Sequence, residues 1–366
     1  MFRCLENLVV EVIVGRRKGG VFLILKSILL FFSWIYQLVS ISRNFFYDKK
    51  ILKQKRVTAF VISIGNIVAG GTGKTPLTLL LARMLRDFGK IAVISRGYRG
   101  KFEKSGRPVF LSKGMGPLLS AEEGGDEPFL LAKNLNGVFL LVGKNRIQAA
   151  QMACDTGVEM IILDDGMQHR SLFRDFDIVV MDAGSPFGYE HFLPRGFLRE
   201  SPRALARADL IFVNHVVNKE QLREIEKRIR KYSLAPIVSA RVIPDCVLKG
   251  NGEEVSIKNR RVGVFCAIAK PAYFSRTVNL LGAEVVQEYF LTDHDSFSSS
   301  KLEDFSLQCR SCEAELLVCT EKDWVKLEQK DHLSLPLAFV QMSLEIFSGK
   351  ENWESFVKGL QQKLGS

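Results

Sequence analysis

Lys74 and Thr75 close a glycine-rich stretch that can hold phosphate, Val61-Ile-Ser-Ile-Gly-Asn-Ile-Val-Ala-Gly-Gly-Thr-Gly-Lys74-Thr75-Pro76. The loop runs from Val68 and Ala69 through Gly70, Gly71, Thr72 and Gly73. Its glycines let backbone N–H groups turn inward around phosphate oxygens. Lys74 can reach the β and γ phosphates of ATP, and the Thr75 hydroxyl can ligate Mg²⁺. A helical pattern begins at the same point and adds the positive end of its dipole. The usual spacing, G-x-x-x-x-G-K-[ST], has a glycine where this chain has Val68; Gly70 and Gly71 can supply the turn instead.

A phosphate loop needs a carboxylate for its metal. Asp164-Asp165-Gly166-Met167-Gln168-His169 follows the apolar run Met160–Leu163, and an acid at the end of such a strand holds Mg²⁺ directly or through water. Either Asp164 or Asp165 fits; the competing reading is a cap-and-turn cluster after a buried strand. Gly124-Gly125-Asp126-Glu127-Pro128 reads by itself as a helix start, with Asp126 as the cap. Asp293-His294-Asp295 is either a capping turn or a histidine oriented by two carboxylates for proton transfer. Thr320-Glu321-Lys322-Asp323 ends another strand. Arg96, Arg99, Arg195 and Arg199 lie in glycine-bearing loops, where they could grip phosphates or stay solvated.

The elements that must position these groups alternate strand and helix. Strand Ala59–Ile64, helix Pro76–Phe88, strand Ile91–Ser95, strand Val138–Val142, helix Arg146–Thr156 and strands Met160–Leu163, Asp177–Met181 and Leu210–Val213 follow one another. Polar groups recur at the C-terminal ends of the strands, where an open parallel sheet binds its ligand. The expected fold is α/β, a P-loop-type, mostly parallel sheet with helices on both faces. A phosphate-loop domain would span 51–235 and a smaller α/β domain 236–366. Residues 101–127 read as a polar connection without a strand.

Residues 1–50 differ from the rest. Residues 1–56 carry eleven Lys/Arg against three Asp/Glu, so this short segment holds +8 of the chain's +11. The excess is therefore local, which argues against nucleic acid as a partner. The uncharged run Ser27–Ser42, 16 residues, would span about 24 Å as a helix, short of the roughly 20 residues a bilayer core needs. The expectation is an interfacial helix pair with basic anchors at an anionic membrane surface. Seven scattered cysteines, with one lone Cys309-Arg-Ser-Cys312, suggest unpaired thiols rather than a disulfide framework.

Two classes fit a phosphate loop beside a membrane segment, a kinase and a membrane-recruited ATPase switch. The switch signature resembles K-G-G-x-G-K-T, and Ala69 stands where its first lysine would be. The ordered series Ser63–Pro76, Ser95-Arg-Gly-Tyr98, Gly125-Asp-Glu-Pro128, Asp164-Asp-Gly-Met-Gln-His169, Leu193-Pro-Arg-Gly-Phe-Leu-Arg-Glu200, Asp293-His294 and Thr320-Glu-Lys-Asp323 resembles the tetraacyldisaccharide 4′-kinases of lipid A biosynthesis. That resemblance implies transfer of the ATP γ-phosphate to the 4′-hydroxyl of an acylated glucosamine disaccharide 1-phosphate, at the cytoplasmic face of a bacterial inner membrane. It implies Asp126 and His294 as a catalytic pair, with Asp126 the base. It also implies Thr75, Asp164 or Asp165, and Glu200 as the Mg²⁺ groups. Asp295 stands where the family usually has a second histidine, and Arg195-Gly-Phe where it often has Ala-Gly-Pro.

Overall fold

The structure, a computed structural model, describes residues 9–17, 19–98, 100–103, 106–268, 271–292, 297–327 and 333–364. His294, with Asp293 and Asp295, lies outside the described residues, as does Arg99.

After a helical stretch over residues 9–13, the described chain runs through α1 (Gly20–Asp48), β1 (Phe60–Gly65), α2 (Lys74–Leu85), β2 (Ile91–Ser95), β3 (Val109–Lys113), the short α3 (Ala121–Gly124), α4 (Asp126–Asn134), β4 (Phe139–Val142), α5 (Arg146–Cys154) and β5 (Met160–Asp164). It continues with β6 (Phe176–Asp182), β7 (Leu210–Asn214), α6 (Lys219–Ile229), β8 (Ile237–Lys249), β9 (Arg261–Cys266), α7 (Pro271–Leu280), β10 (Glu284–Phe290), α8 (Ser299–Ser311), β11 (Leu316–Thr320), α9 (Glu321–Lys326), β12 (Leu337–Ser348) and α10 (Lys350–Leu364).

The twelve strands among the described residues join one sheet in the order β10-β9-β11-β12-β8-β7-β6-β1-β5-β2-β4-β3. Pairing is parallel except for β3 with β4 and β8 with β12. The strands are apolar on both faces because both are covered by helices. Ile62 and Ile64 meet α2 and α10, while Val61, Ala92 and Ile94 meet the alanine face of α5. The expected mostly parallel α/β architecture is what the chain adopts.

Two strands escaped the sequence reading. β3 lies in the stretch read as a polar connection; as an edge strand it needs only one apolar side, and Leu111 supplies it. β8 contains Pro244, which argues against a central strand. However, β8 pairs with β7 only at Ile237, Val238 and Ser239. Pro244 sits farther along, at a shift in the β12 register, where its missing N–H removes no central ladder bond. The β7–β8 pairing joins the strands before residue 236 to those after it. α10 then returns to the first half, where Trp353, Val357 and Leu360 pack into the core beside α2.

α1 is a single 29-residue helix, about 43 Å long. It is long and apolar enough to cross a membrane by length and composition, and little of it is buried. One side docks on the body through polar side chains. Ser33 donates to the Phe192 carbonyl, Ser40 to the Arg199 carbonyl, Arg43 to the Gln168 carbonyl, and Asp48 pairs with Arg170 at 2.7 Å. The other side exposes Leu23, Ile24, Phe31, Phe32, Trp34, Leu38 and Val39.

Candidate active site

The phosphate loop leaves the buried end of β1 and enters α2 directly. Gly73 caps α2 in the left-handed region, φ 82°. A Cβ at Gly73 would lie 2.3 Å from the Asn214 amide nitrogen. That nitrogen donates to the carbonyls of Thr72 and Gly73 at 2.9 and 3.1 Å, so the end of β7 braces the loop from beneath. Asn66 donates to the Thr72 hydroxyl at 3.0 Å. Val68 has a specific reason to be there. It is buried, forms a bridge with Leu198, and the next N–H, that of Ala69, donates to the Phe197 carbonyl at 2.7 Å. The left-handed turn falls instead at Gly70, φ 112°, which is exposed with open space around it.

β5 is the neighbour of β1, and its end brings the two aspartates under the loop. They differ sharply. Asp165 sits at φ 55°, a turn conformation uncommon outside glycine. Lys74 Nζ lies 3.5 Å from Asp165, and Arg199 grips the same carboxylate with contacts of 2.9 and 3.2 Å. Burial would push this carboxyl up, but Lys74 and Arg199 overcome that and hold it down at about 2. Asp164 is buried and forms no ion pair with Lys74 or Arg199 in the way Asp165 does. Burial first, then the Glu127 charge, push it up to about 6, with Lys74 and the Ser95 hydroxyl pulling the other way. Ser95, at the end of β2, donates to its Oδ2 at 3.1 Å; its Oδ1 is buried without a hydrogen-bond partner.

Glu200 is equally buried. Its carboxylate accepts from Asn44 on α1 at 2.7 Å, from Arg207 at 2.7 Å and from Gln168 at 3.0 Å. Oε2 takes both Asn44 and Arg207, while Oε1 takes Gln168. No group of three His, Cys, Asp or Glu side chains among the described residues is arranged to hold a metal alone. Mg²⁺ seldom needs one, because it keeps several waters and takes substrate phosphates. The unpartnered Asp164 oxygen and the adjacent Asp165 fit such a partly ligated ion.

Asp126 opens α4. Gly97 and Gly125 (φ 92°) make this possible: a Cβ on Gly97 would lie 3.0 Å from the Gly124 carbonyl, and one on Gly125 2.9 Å from the Tyr98 carbonyl. The two backbones touch, which brings the start of α4 to the end of β2. Glu127 is then close enough for Asp164 to feel its charge. Lys326, from the end of α9, places its ammonium 3.1 Å from the Asp126 carboxylate. Of the arginines, Arg199 joins the aspartates, whereas Arg96 pairs with Glu103 at 2.7 Å. Arg146 is fully buried near Asp164, and desolvation holds its guanidinium down at about 10. Burial, with Arg146, Arg43 and Arg96 around it, pushes His169 down to about 4, so it is neutral at pH 7.

Sequence reasoning passed over Asn44, Arg207 and Lys326. A signal existed for Asn44: Ser33, Ser40, Asn44 and Asp48 recur at helical spacing along one side of an otherwise apolar helix. For Lys326 the only hint was its place one turn beyond Asp323.

A parallel sheet whose first loop cradles phosphate, with an acid closing the adjacent strand, defines a P-loop nucleotide-dependent phosphotransferase fold. The comparisons narrow this. The family model for tetraacyldisaccharide-1-P 4'-kinase matches residues 25–362. A tetraacyldisaccharide 4'-kinase of Syntrophus aciditrophicus is 38% identical over 331 residues, 86% of this chain and 88% of its own. The Halothermothrix orenii enzyme of the same name is 35% identical over 348 residues, 90% of each chain. The crystal structure of Aquifex aeolicus LpxK in complex with ATP superposes with a TM-score of 0.76 at 29% identity, covering 92% of this chain and 99% of that one. The chain belongs to the tetraacyldisaccharide 4'-kinase family.

Proposed function

We propose that this protein transfers the γ-phosphate of ATP to the 4′-hydroxyl of a tetraacylated glucosamine disaccharide 1-phosphate, forming lipid IVA at the cytoplasmic face of the inner membrane. The observation that carries the reading is the convergence of Lys74, Arg199 and two unlike aspartates at the C-terminal ends of the central strands β1 and β5, in a chain of this family. The loop N–H groups from Gly70 to Thr75 and the α2 dipole bind the nucleotide phosphates, with Val68 and Ala69 anchoring the start of the loop on Leu198 and Phe197. Lys74 and Arg199 stabilise the charge that develops on the transferred phosphoryl group. Thr75, Asp164 and Asp165 would hold Mg²⁺, with Glu200 behind them keeping Gln168 and Arg207 in place. When bound, the ion would supply positive charge against that of the phosphates.

Asp126 accepts the hydroxyl proton as the sugar oxygen takes the phosphoryl group and ADP leaves. His294 is its partner in this reading. The phosphate loop lies in the half spanning 51–235, and the half from 236 on supplies the opposite wall of the crevice. α1 serves the substrate: its exposed apolar side lies at the acyl boundary of an anionic membrane, and its polar side is fastened to Arg199, Gln168 and Glu200. The kinase is thereby held where an acylated headgroup can reach it.

The test is Asp126→Ala. It loses nearly all turnover, by roughly 100-fold or more, while ATP still binds. A purified Asp126→Ala enzyme with near-wild-type kcat removes Asp126 as the base.

A further inference from the structure

α9 is built to aim one side chain. Thr320 caps it, its hydroxyl accepting the Asp323 N–H at 3.2 Å. Asp323 is buried and accepts the Thr320 hydroxyl at 2.5 Å and the Ala267 N–H at 3.2 Å, which ties the helix to the end of β9. Trp324 is buried against Phe339, with ring centroids 5.1 Å apart. Asn134 on α4 donates to Glu321 on α9 at 2.8 Å, so the two helices are joined at both ends of their contact. What emerges from this scaffold is Lys326, with its side chain 10% exposed and its ammonium 3.1 Å from Asp126, which is 32% exposed.

The asymmetry is informative. The lysine is the more buried of the two, and its ammonium, buried without a hydrogen-bond partner, meets Asp126 as an ion pair. Burying an ammonium costs desolvation that a well-packed apolar side chain would avoid. A purely structural contact between α4 and α9 would therefore be better served by leucine or methionine. An ammonium pays back that cost where a carboxylate must be fixed in one orientation with one face left open to a ligand.

We propose that Lys326 is a positioning residue for phosphoryl transfer, fixing the Asp126 carboxylate through an ion pair made from the C-terminal half of the chain. The proposal rests on Asp126 being the proton acceptor. Lys326 takes no part in the proton transfer itself; it orients the group that receives the proton. Because the pair joins the two halves of the sheet, the base is in place only when α9 is docked against α4.

The test is a double-mutant cycle on the full-length protein, read by single-turnover transfer from ATP to the tetraacyl disaccharide 1-phosphate with enzyme in excess. The proteins are wild type, Lys326→Met, Asp126→Asn and the double variant. Lys326→Met slows transfer roughly 10- to 100-fold, with the ATP KM within about twofold, since ATP meets the other end of the site. In the Asp126→Asn background the same change has little further effect, because its partner is already gone. Lys326→Arg, which keeps the cation, recovers part of the rate. Thermal melts accompany each protein. If Lys326→Met fails to fold, Lys326→Arg and Lys326→Gln carry the comparison, Arg expected to be the faster.

Transfer by Lys326→Met within about twofold of wild type, or an equal loss with and without Asp126, overturns the proposal. So does a Gln variant as fast as the Arg one. Failure of the underlying reading is separate: Asp126→Asn alone would then transfer at the wild-type rate.

Discussion

Asp164→Asn stabilises the nucleotide-free protein, and Asp165→Asn, one residue away, destabilises it. Asp164 is buried, has one oxygen without a hydrogen-bond partner, and is pushed from 3.8 up to about 6. A displacement of about two pK units corresponds to roughly 3 kcal/mol at pH 7, where the carboxylate must be ionised in the fold. The neutral amide removes this cost and still offers an oxygen to Ser95. A net gain of about 1–3 kcal/mol is expected after allowance for imperfect hydrogen bonding. Asp165 is the reverse case: held at about 2 against burial by Lys74 and Arg199, it contributes roughly 2 kcal/mol that its amide forfeits. The signs with pH follow. A carboxyl raised in the fold binds more protons when native, so its contribution is favourable in acid and is lost as pH rises from about 4 to about 6. The Asp164→Asn advantage is therefore full at pH 7 and fades as pH falls toward 4. A depressed carboxyl stabilises above its unfolded value, so the Asp165→Asn deficit persists from pH 7 to about 4 and shrinks only below that. The assay is urea unfolding with chelator and without nucleotide, at pH 7, 6 and 5. An Asp164→Asn protein less stable than wild type at pH 7, or an advantage that does not fade in acid, refutes the reasoning.

Other consequences can be measured alongside. Lys74→Ala abolishes γ-phosphate transfer, and undiminished transfer would refute the central role of the loop. Gly73→Ala forces a Cβ into the Asn214 amide at a φ that costs about 1 kcal/mol or more for an L side chain. ATP affinity falls at least tenfold by titration calorimetry, and Asn214→Ala restores only part of it because the φ is unchanged. Replacing Phe31, Phe32 and Leu38 on the exposed side of α1 with serine leaves the melting temperature near wild type. It weakens flotation with anionic liposomes roughly tenfold or more, and equal flotation would remove α1 as the anchor.

Much of this was legible in the residues because local and global signals agree. β1, the phosphate loop and α2 are marked by an apolar β-branched run, three glycines and an apolar helical period; β1 lies within one residue of its expected bounds, and α2 begins two residues and ends three residues earlier than expected. β3 and β8 were not legible, since an edge strand needs apolar residues on one side only and a proline usually excludes a strand. The difference between Asp164 and Asp165 could not be read from a dipeptide. It depends on which carboxylate the turn at φ 55° swings toward Lys74 and Arg199. Val68 looked like a defect of the loop and is instead its attachment to Leu198. Lys326 was invisible because its partner lies two hundred positions away and only the α4–α9 packing brings them together.

The most direct measurement of the central claim is radiolabelled γ-phosphate transfer, run with the tetraacyl disaccharide 1-phosphate and without any lipid acceptor. The account predicts label in the lipid, forming a bisphosphorylated product, and negligible phosphate release when the lipid is omitted. Rapid ATP hydrolysis that does not depend on the lipid, with no label in it, would contradict the account and identify an ATPase switch instead.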